Sequence, residues 1–327
     1  MTCLCCGKPI PETASESERE GRWHTACVRK FFGSTALPEL DLSDDTLTQL
    51  AIESTNRGFT VPGVQKKMSL HLTRYGEKPR LTLVNYPTGY ILKPQTELYP
   101  ALPEAEYLVM QMAERTGIAT VPFAMLGLEG SLAYITRRID RTLPRKRKED
   151  IQLLAMEDFC QLEQRLTEDK YRGSYERCAK VISQYSCRPG LDLSELFLRI
   201  VFSFAIGNSD MHLKNFSLIE TTPGSQEYVL SEAYDMLPVN VIVPEDEEQL
   251  ALTLNGKKRS LRRNDFLKFA DAAGITREAA VKMIQKVISL EPVYLQMCAE
   301  SALPSQLKER LMLLIPLRLQ SLTPGHS

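Results

Sequence analysis

Between Gly207 and Ile219 the chain packs Asn208, Asp210, His212, Lys214 and Asn215 into eight positions, with apolar runs on both sides. Polar groups wedged between two core elements are costly unless they are paired or used. Such a cluster is therefore a loop cap or an active site. Asp210 and Asn215 stand five residues apart, the spacing at which phosphoryl-transfer sites place a catalytic aspartate and a metal-binding asparagine. Asp235 follows twenty residues beyond Asn215, after a hairpin-like turn, and offers a second metal carboxylate. The chemistry these types fit is phosphotransfer, in which positioning and charge neutralisation do most of the catalysis.

A second constellation lies at the start of the chain. Cys3, Cys6, His24 and Cys27 give C-x2-C, seventeen residues, then H-x2-C. Two close pairs of thiolate and imidazole ligands separated by a loop suit tetrahedral zinc. Cys5 can stand in for Cys3 or Cys6 at a cost in geometry. No neighbouring carboxylate or open ligand position marks the set as catalytic, so the zinc is read as structural. The zinc-free alternative is a segment of packed thiols whose Trp23 and Phe31-Phe32 dock on the main body. The loop from Pro9 to Arg22 is too poor in apolar residues to fold unaided.

The elements that must position these residues follow from periodicity. Leu193 to Ile206 reads as an apolar helix that delivers the polar cluster. Phe216–Ile219 and Tyr228–Leu230 read as strands around Pro223-Gly224. Upstream, Met68–Leu72, Leu81–Val84 and Tyr90–Lys93 alternate at the period of strands, with turns at Tyr75-Gly76 and Pro87–Gly89. Residues 121–128 and 132–136 add two more strands. Thr46–Ala51 reads as a short helix, and Pro103–Arg115 as a longer one closed by Gly117. Glu106 on that helix can pair with Lys93 at the end of its strand. Equally, an early glutamate simply suits a helix N-terminus, and a strand-end lysine alone reads as a solvated edge residue. The loop Thr60–Lys67, with Gly63, can lie over phosphates through its N–H groups or can be an ordinary strand lead-in. Beyond residue 150 the pattern is helical, with Met156–Leu162, Tyr175–Ser183 capped by Ser174, and runs near 264–273, 277–289, 291–299 and 305–316. The basic run from Pro144 to Asp150 reads as a solvated loop, with an acidic docking partner as the sharper alternative.

Bulk properties exclude several classes. The 327 residues carry a formal net charge of -1, 43% hydrophobic and 7% aromatic residues, so neither a nucleic-acid footprint nor a stacking surface is expected. No apolar run reaches the roughly 20 residues that span a bilayer, and the N-terminus has no h-region. Four of the eight cysteines fall in the first 27 residues, which is not a disulfide framework, and thiols in a cytoplasmic protein are expected.

Taken in order, Thr60–Leu70, Tyr90–Pro94, Glu106-Tyr107, Ile135–Asp140, Asp210–Leu218 and Tyr234-Asp235 resemble the HipA family of bacterial serine/threonine toxin kinases. The D-x-H-x-K-N-x-S block from Asp210 to Ser217 is the specific part. The chain looks most like the short HipT-type members, because 59 residues leave little room for the extra N-terminal subdomain of long HipA proteins. The resemblance implies an α+β, bilobal, protein-kinase-like fold, with a mainly antiparallel β N-lobe over 60–140 and a helical C-lobe over 141–327. Residues 1–33 would be the zinc knuckle and 34–59 a linker.

The same resemblance assigns roles. Asp210 matches the catalytic aspartate, with His212 and Lys214 beside it, and Asn215 and Asp235 match the magnesium ligands. Lys93 matches the ATP-phosphate lysine, with Glu106 as its partner. Val61, Gly63, Val64, Gln65 and Lys67 fall in the loop over the nucleotide, and Thr136, Arg137 and Arg138 at the hinge. Thr60 stands at the first autophosphorylation position of that loop, and Pro62, which has no hydroxyl, at the second. The resemblance implies ATP and Mg2+ as cofactors and a protein substrate such as an aminoacyl-tRNA synthetase. It implies as partners a small antitoxin similar to the missing subdomain and a separate DNA-binding antitoxin. A small-molecule kinase and an inactive kinase-like scaffold are the alternatives. The intact set of Lys93, Asp210, Asn215 and Asp235 argues against the scaffold.

Overall fold

The computed structural model describes residues 1–40, 67–73, 79–82, 89–128, 130–142 and 151–325. The helix expected at Thr46–Ala51, the loop Thr60–Gln65 including Pro62, the turns at Tyr75-Gly76 and Pro87-Thr88, Leu83-Val84, and most of the basic run before Asp150 lie outside the described residues. The chain divides into two compact units, Met1–Tyr107 with Val121–Gln152, and Leu108–Thr120 with Leu153–Ser327. Among the described residues, no helix is long and apolar enough to cross a membrane.

The first unit is built on a six-stranded sheet. Its strands are β1 (Glu39–Leu40), β2 (Met68–Thr73), β3 (Arg80–Thr82), β4 (Tyr90–Lys93), β5 (Phe123–Leu128) and β6 (Ser131–Arg137), in the order β1-β3-β2-β4-β6-β5. The pairs are antiparallel except β1 with β3, which is parallel. The sheet is thus mainly antiparallel, as expected, and its one parallel pairing is made by a two-residue edge strand in the segment expected to be a linker. Alternation works as expected in β2, where Met68 and Leu70 are buried and Lys67 and Ser69 are exposed. In β4 the polar end is also buried. Tyr90, Leu92 and Lys93 are all enclosed: Tyr90 packs on Phe31 and Phe32, Leu92 lies opposite Met68 and Ile135, and Lys93 meets Glu106.

The N-terminal segment is an integral part of this unit. Thr2 bridges Pro9, helix α1 (Glu16–Gly21) starts in a Ser15/Glu18 capping box, and α2 (Thr25–Phe32) buries Val28, Phe31 and Phe32. Helices of six and eight residues do not stand alone in water, and α1 buries nothing. The docking is aromatic. Trp23 packs 5.6 and 5.4 Å from Phe31 and Phe32, and Phe32 lies 5.3 Å from Tyr90. Trp23 Nε1 also donates to the Met125 carbonyl at 3.2 Å, and the Met125 N–H donates to Leu4 at 2.8 Å.

Helix α3 (Leu102–Thr116) carries Glu106 and ends before Gly117, whose φ of 85° is the left-handed conformation that glycine adopts without a Cβ penalty.

The second unit is helical around one apolar rod. Helix α6 (Pro189–Ile206) begins with proline at its first turn and is buried continuously from Leu196 to Ile206. Around it pack α5 (Tyr175–Tyr185), α9 (Arg277–Ser289) and α11 (Ser305–Gln320). Phe204 and Phe197 meet Phe266 and Phe269 of α8 (Arg263–Ala272) at 5.1 and 6.2 Å, and Phe202 meets Tyr294 of α10 (Glu291–Glu300) at 6.0 Å. A three-stranded antiparallel sheet joins β7 (Met156–Asp158), β8 (Ser217–Glu220) and β9 (Tyr228–Leu230).

Two expectations change here. Met156–Leu162 is not one helix: its first three residues pair with β8, and the helix α4 (Phe159–Leu162) starts only where Asp158 caps it, with Gln161 completing the box. The last helix also runs on through Pro316 to Gln320. The plain cap at Thr276 is as expected, its side chain accepting from Ala279 N–H.

Candidate functional site

Helix α6 stops at Gly207, which has a φ of 73° and caps the helix by donating to Phe204 and Ser203. A Cβ at this position would meet the Leu314 side chain at 3.1 Å. The chain then turns into the polar cluster. Asn208 accepts the Asp210 N–H at 3.2 Å, His212 N–H donates to the Asp210 carbonyl at 2.8 Å, and Asn215 N–H donates to His212 at 2.9 Å. Asn215 Nδ2 closes the loop by donating to the Asp210 carbonyl at 2.8 Å. The structure thus brings Asp210 and Asn215 together through a direct hydrogen bond. With its amide nitrogen so committed, Asn215 presents its side-chain oxygen as the end that can ligate a hard cation.

Asp210 is the exposed member of the loop, with 41% of its side chain accessible. Its Oδ1 accepts from the Tyr171 hydroxyl at 2.5 Å and lies 4.0 Å from His212 Nε2. Tyr171 meets the His212 ring edge-on at 5.0 Å. Lys214 turns to Asp158, with Nζ 2.6 Å from Oδ2. Asp158 therefore serves both as the cap of α4, through Oδ1 to Gln161 N–H at 2.9 Å, and as the partner of Lys214.

Asp235 is set by its neighbours. The Tyr234 hydroxyl donates to the Lys214 carbonyl at 3.1 Å and shares a hydrogen bond of 2.6 Å with Ser217. Buried Arg199 of α6 holds the approach, donating to Glu195 at 2.9 Å and to the Ser231 carbonyl at 2.7 Å. Burial pulls the Arg199 pKa down against the charge of Glu195. Asp235 itself has a φ of 55°, a left-handed backbone that costs about 1–3 kcal/mol for a non-glycine residue and concentrates at functional sites.

In the first unit, Lys93 Nζ lies 2.5 Å from Glu106 Oε1, with the two side chains 2% and 0% exposed. The ammonium also sits 5.2 Å from the centre of the Tyr134 ring. The reading of Lys93 as a solvated edge residue is therefore wrong, and Glu106 does more than decorate a helix start. The hinge candidates are placed plainly. Thr136 and Arg137 remain inside β6, where Thr136 Oγ1 donates to the Pro122 carbonyl at 3.0 Å. Arg138 leaves the strand and pairs with Asp140 at 2.6 Å. Burial pushes the Asp140 carboxyl up, but Arg138 and Arg141 outweigh it and hold the group below its ordinary range. Lys67 is exposed at the entry of β2. Thr60, Val61, Gly63, Val64 and Gln65 lie outside the described residues.

Cys3, Cys6, His24 and Cys27 converge, with their ligand atoms all within 4.8 Å of one another. A tetrahedral zinc with bonds of about 2.3 Å to sulfur and 2.0–2.1 Å to nitrogen sets S···N edges near 3.6 Å. Cys6 Sγ and Cys27 Sγ lie 3.4 and 3.9 Å from His24 Nδ1, so the donors fit. His24 Nε2 faces the Pro9 carbonyl at 3.1 Å. A carbonyl only accepts, so Nε2 carries the proton and Nδ1 turns its lone pair to the thiols, as a second shell does for a metal-bound histidine. At Cys3, burial raises the thiol pKa, and N–H groups of Cys6, His24 and Cys5 outweigh it and lower it. Cys5 lies outside the group, and burial pushes its thiol up to about 12. Burial raises the Cys27 thiol in the same way, so it is the convergence of the other four side chains, and not titration, that sets Cys5 apart.

Sequence reasoning missed Tyr171, Asp158 and Arg199. Tyr171 and Asp158 stand 39 and 56 positions from the residues they bind, and no local spacing signals either contact.

The HipA-like C-terminal domain is matched over residues 59–292. The chain is 26% identical over 326 residues to a "Putative kinase" of Haemophilus influenzae, covering 92% of each. Its fold is similar to that of a chain in the HipA, HipB and operator DNA complex of the Shewanella oneidensis MR-1 toxin–antitoxin system. The TM-score is 0.66 at 17% identity, over 97% of this chain and 73% of that one. It is also similar in fold to the proinflammatory kinase CtkA of Helicobacter pylori, with a TM-score of 0.53 at 14% identity, over 78% of this chain and 93% of that one. With more than two thirds of its length matched, the chain belongs to the HipA-like C-terminal domain family.

Proposed function

We propose that the protein is an ATP- and magnesium-dependent serine/threonine kinase of the HipT type, the toxin of a toxin–antitoxin system. The observation that carries the reading is the buried Lys93–Glu106 pair. A buried ion pair is poor evidence of stability, because desolvation offsets the attraction. A lysine held rigid by a helix glutamate is what orienting nucleotide phosphates requires. In the second unit, Asn215 and Asp235 would ligate magnesium and Asp210 would orient the incoming hydroxyl. ATP with its metal supplies the transferable phosphoryl group. His212 and Asn215 keep the Asp210 loop in place, and Lys214, tied to Asp158, steadies the loop rather than reaching for phosphate.

The substrate class is protein serine or threonine, with an aminoacyl-tRNA synthetase as the proposed target in the cytoplasm. The Shewanella complex pairs its toxin system with HipB and operator DNA. By that likeness we assign this chain a DNA-binding antitoxin partner, and by its likeness to the short HipT-type kinases a second, small antitoxin. The Cys3, Cys6, His24 and Cys27 set would hold a structural zinc, and Thr60 would be the regulatory autophosphorylation position. The test is transfer of labelled phosphate from ATP to proteins of a bacterial lysate, with and without magnesium. Label on a protein that disappears with Asp210→Ala supports the reading. Label on a free metabolite alone would replace it with a small-molecule kinase.

A further inference from the structure

We propose that Tyr171 is an autophosphorylation site, its hydroxyl occupying on Asp210 the place that an acceptor hydroxyl must take. The inference rests on the phosphotransferase reading above and adds an acceptor within the chain. A general base must lie within about 2.6–3.2 Å of the oxygen whose proton it takes. The Tyr171 hydroxyl donates to Asp210 Oδ1 at 2.5 Å, closer than the short limit of that reach.

The contact is built rather than incidental. Leu213 N–H donates to the Lys170 carbonyl at 3.1 Å, which ties the segment before Tyr171 to the Asp210 loop. After it, the Gly173 carbonyl accepts from Thr253 Oγ1 at 3.2 Å, and the Tyr175 hydroxyl donates to the Met211 carbonyl at 3.1 Å. The bland alternative is a tyrosine that merely braces a carboxylate. An acceptor hydroxyl must instead stay open, and Tyr171 is 37% exposed and the Asp210 side chain 41%. Both remain accessible to solvent.

The charges around the phenol favour modification followed by release. Burial and the charge of Asp210 raise its pKa, so the hydroxyl needs a base to react. Asp246 and Glu248 also face it, while His212 lies against the ring and Lys170 Nζ sits 5.0 Å from the ring centre. A phosphate carries about -1.5 to -2 charges at neutral pH. Beside Asp210, Asp246 and Glu248 it is repelled, and Lys170, against the ring, is the cation at hand to receive it, Arg172 being paired with Asp169 at 2.9 Å. In the step itself, Tyr171 Oη forms a bond to the γ-phosphorus of ATP while the bond from that phosphorus to the β,γ-bridging oxygen breaks. ADP leaves, and the phenol proton passes to Asp210 and then to water.

The experiment maps phosphate by tandem mass spectrometry after incubating the full-length protein with magnesium and ATP. The expected result is phosphotyrosine at 171, formed with a rate constant independent of protein concentration because the contact lies within one chain. Tyr171→Phe should lose that site while remaining folded, and Asp210→Asn should lose it as well. A second readout needs no nucleotide. Acetyl transfer from N-acetylimidazole to Tyr171 should be at least about tenfold slower in Asp210→Asn, below the 10²–10⁴ typical of a positioned base. Phosphate on Thr60 or on a lysate protein with none on Tyr171 would overturn the inference and leave the kinase reading standing. So would equal acetylation in both proteins. Absence of any ATP turnover would instead remove the kinase reading itself.

Discussion

Replacing Glu106 by alanine separates what the buried pair does for stability from what it does for function. Lys93 lies 2.5 Å from Glu106 Oε1, with neither side chain reaching solvent by more than 2%. Removing one partner of such a pair leaves an uncompensated buried charge and costs about 3–5 kcal/mol. An independent ceiling comes from deprotonation, since stripping a proton from an ordinary lysine at pH 7 costs about 4.6 kcal/mol. The two figures agree, so Glu106→Ala should lower the thermal midpoint by roughly 6–20 °C at about 2–4 °C per kcal/mol. The double variant Lys93→Met with Glu106→Leu removes both charges at similar volume. It should recover to within about 1 kcal/mol of the parent, because apolar replacement of a buried pair is often neutral. Thermal unfolding followed by circular dichroism reads both variants, and nucleotide titration calorimetry reads the function. The stable double variant should bind ATP at least about tenfold more weakly. A single variant that costs under about 1 kcal/mol, or a double variant no more stable than the single, would refute the reasoning. A stable double variant with full ATP affinity would show the pair to be structural.

Other outcomes follow from the same geometry. Trp23 is the only tryptophan in the chain, buried next to His24, so its emission reports on the knuckle. One zinc per chain should be released by a strong chelator with a red shift of that emission, and Cys6→Ser should contain none. A metal content near zero in protein prepared without an affinity tag would return the segment to packed thiols. Asp265 is pushed up by burial, but Asn255, the Arg262 N–H and Lys257 outweigh this and lower its pKa. A lowered carboxyl stabilises the fold above its unfolded value near 3.9 and loses that contribution as pH falls through the folded value. The urea midpoint of the C-terminal unit should therefore drop below about pH 4, and Asp265→Asn should flatten that drop. Asn240 donates to Asp246 and Glu248 carbonyls at 2.9 Å each and accepts from Arg318 at 3.0 Å. Asn240→Ala should cost about 1–2 kcal/mol by leaving those half-buried groups unmatched, and chemical denaturation would measure it.

The polar loop from Asn208 to Asn215 was legible because its signal is local. Asp210, Asn215 and their apolar helix lie within two dozen residues, and periodicity, spacing and a terminal glycine all point one way. The knuckle was legible for the same reason, since paired ligands leave a spacing that survives without coordinates. Lys93 in isolation reads as a solvated edge residue, because nothing in a strand-end lysine shows that a helix glutamate thirteen positions on reaches it. Met156–Leu162 reads as one helix only if Asp158 is overlooked as a cap, and its Gln161 completes the box that starts the helix there. Tyr171 and Arg199 were invisible for a different reason. Their partners come from chain segments brought near only by tertiary packing, and no single-sequence pattern encodes that.

The most direct test of the central claim is calorimetric titration of the intact protein with ATP, with and without magnesium, beside an Asn215→Ala/Asp235→Ala variant of confirmed fold. The account predicts tight binding and slow turnover only with the metal, and loss of that metal dependence in the variant. Equal ATP affinity with and without magnesium, unchanged in the variant and accompanied by no turnover, would contradict it.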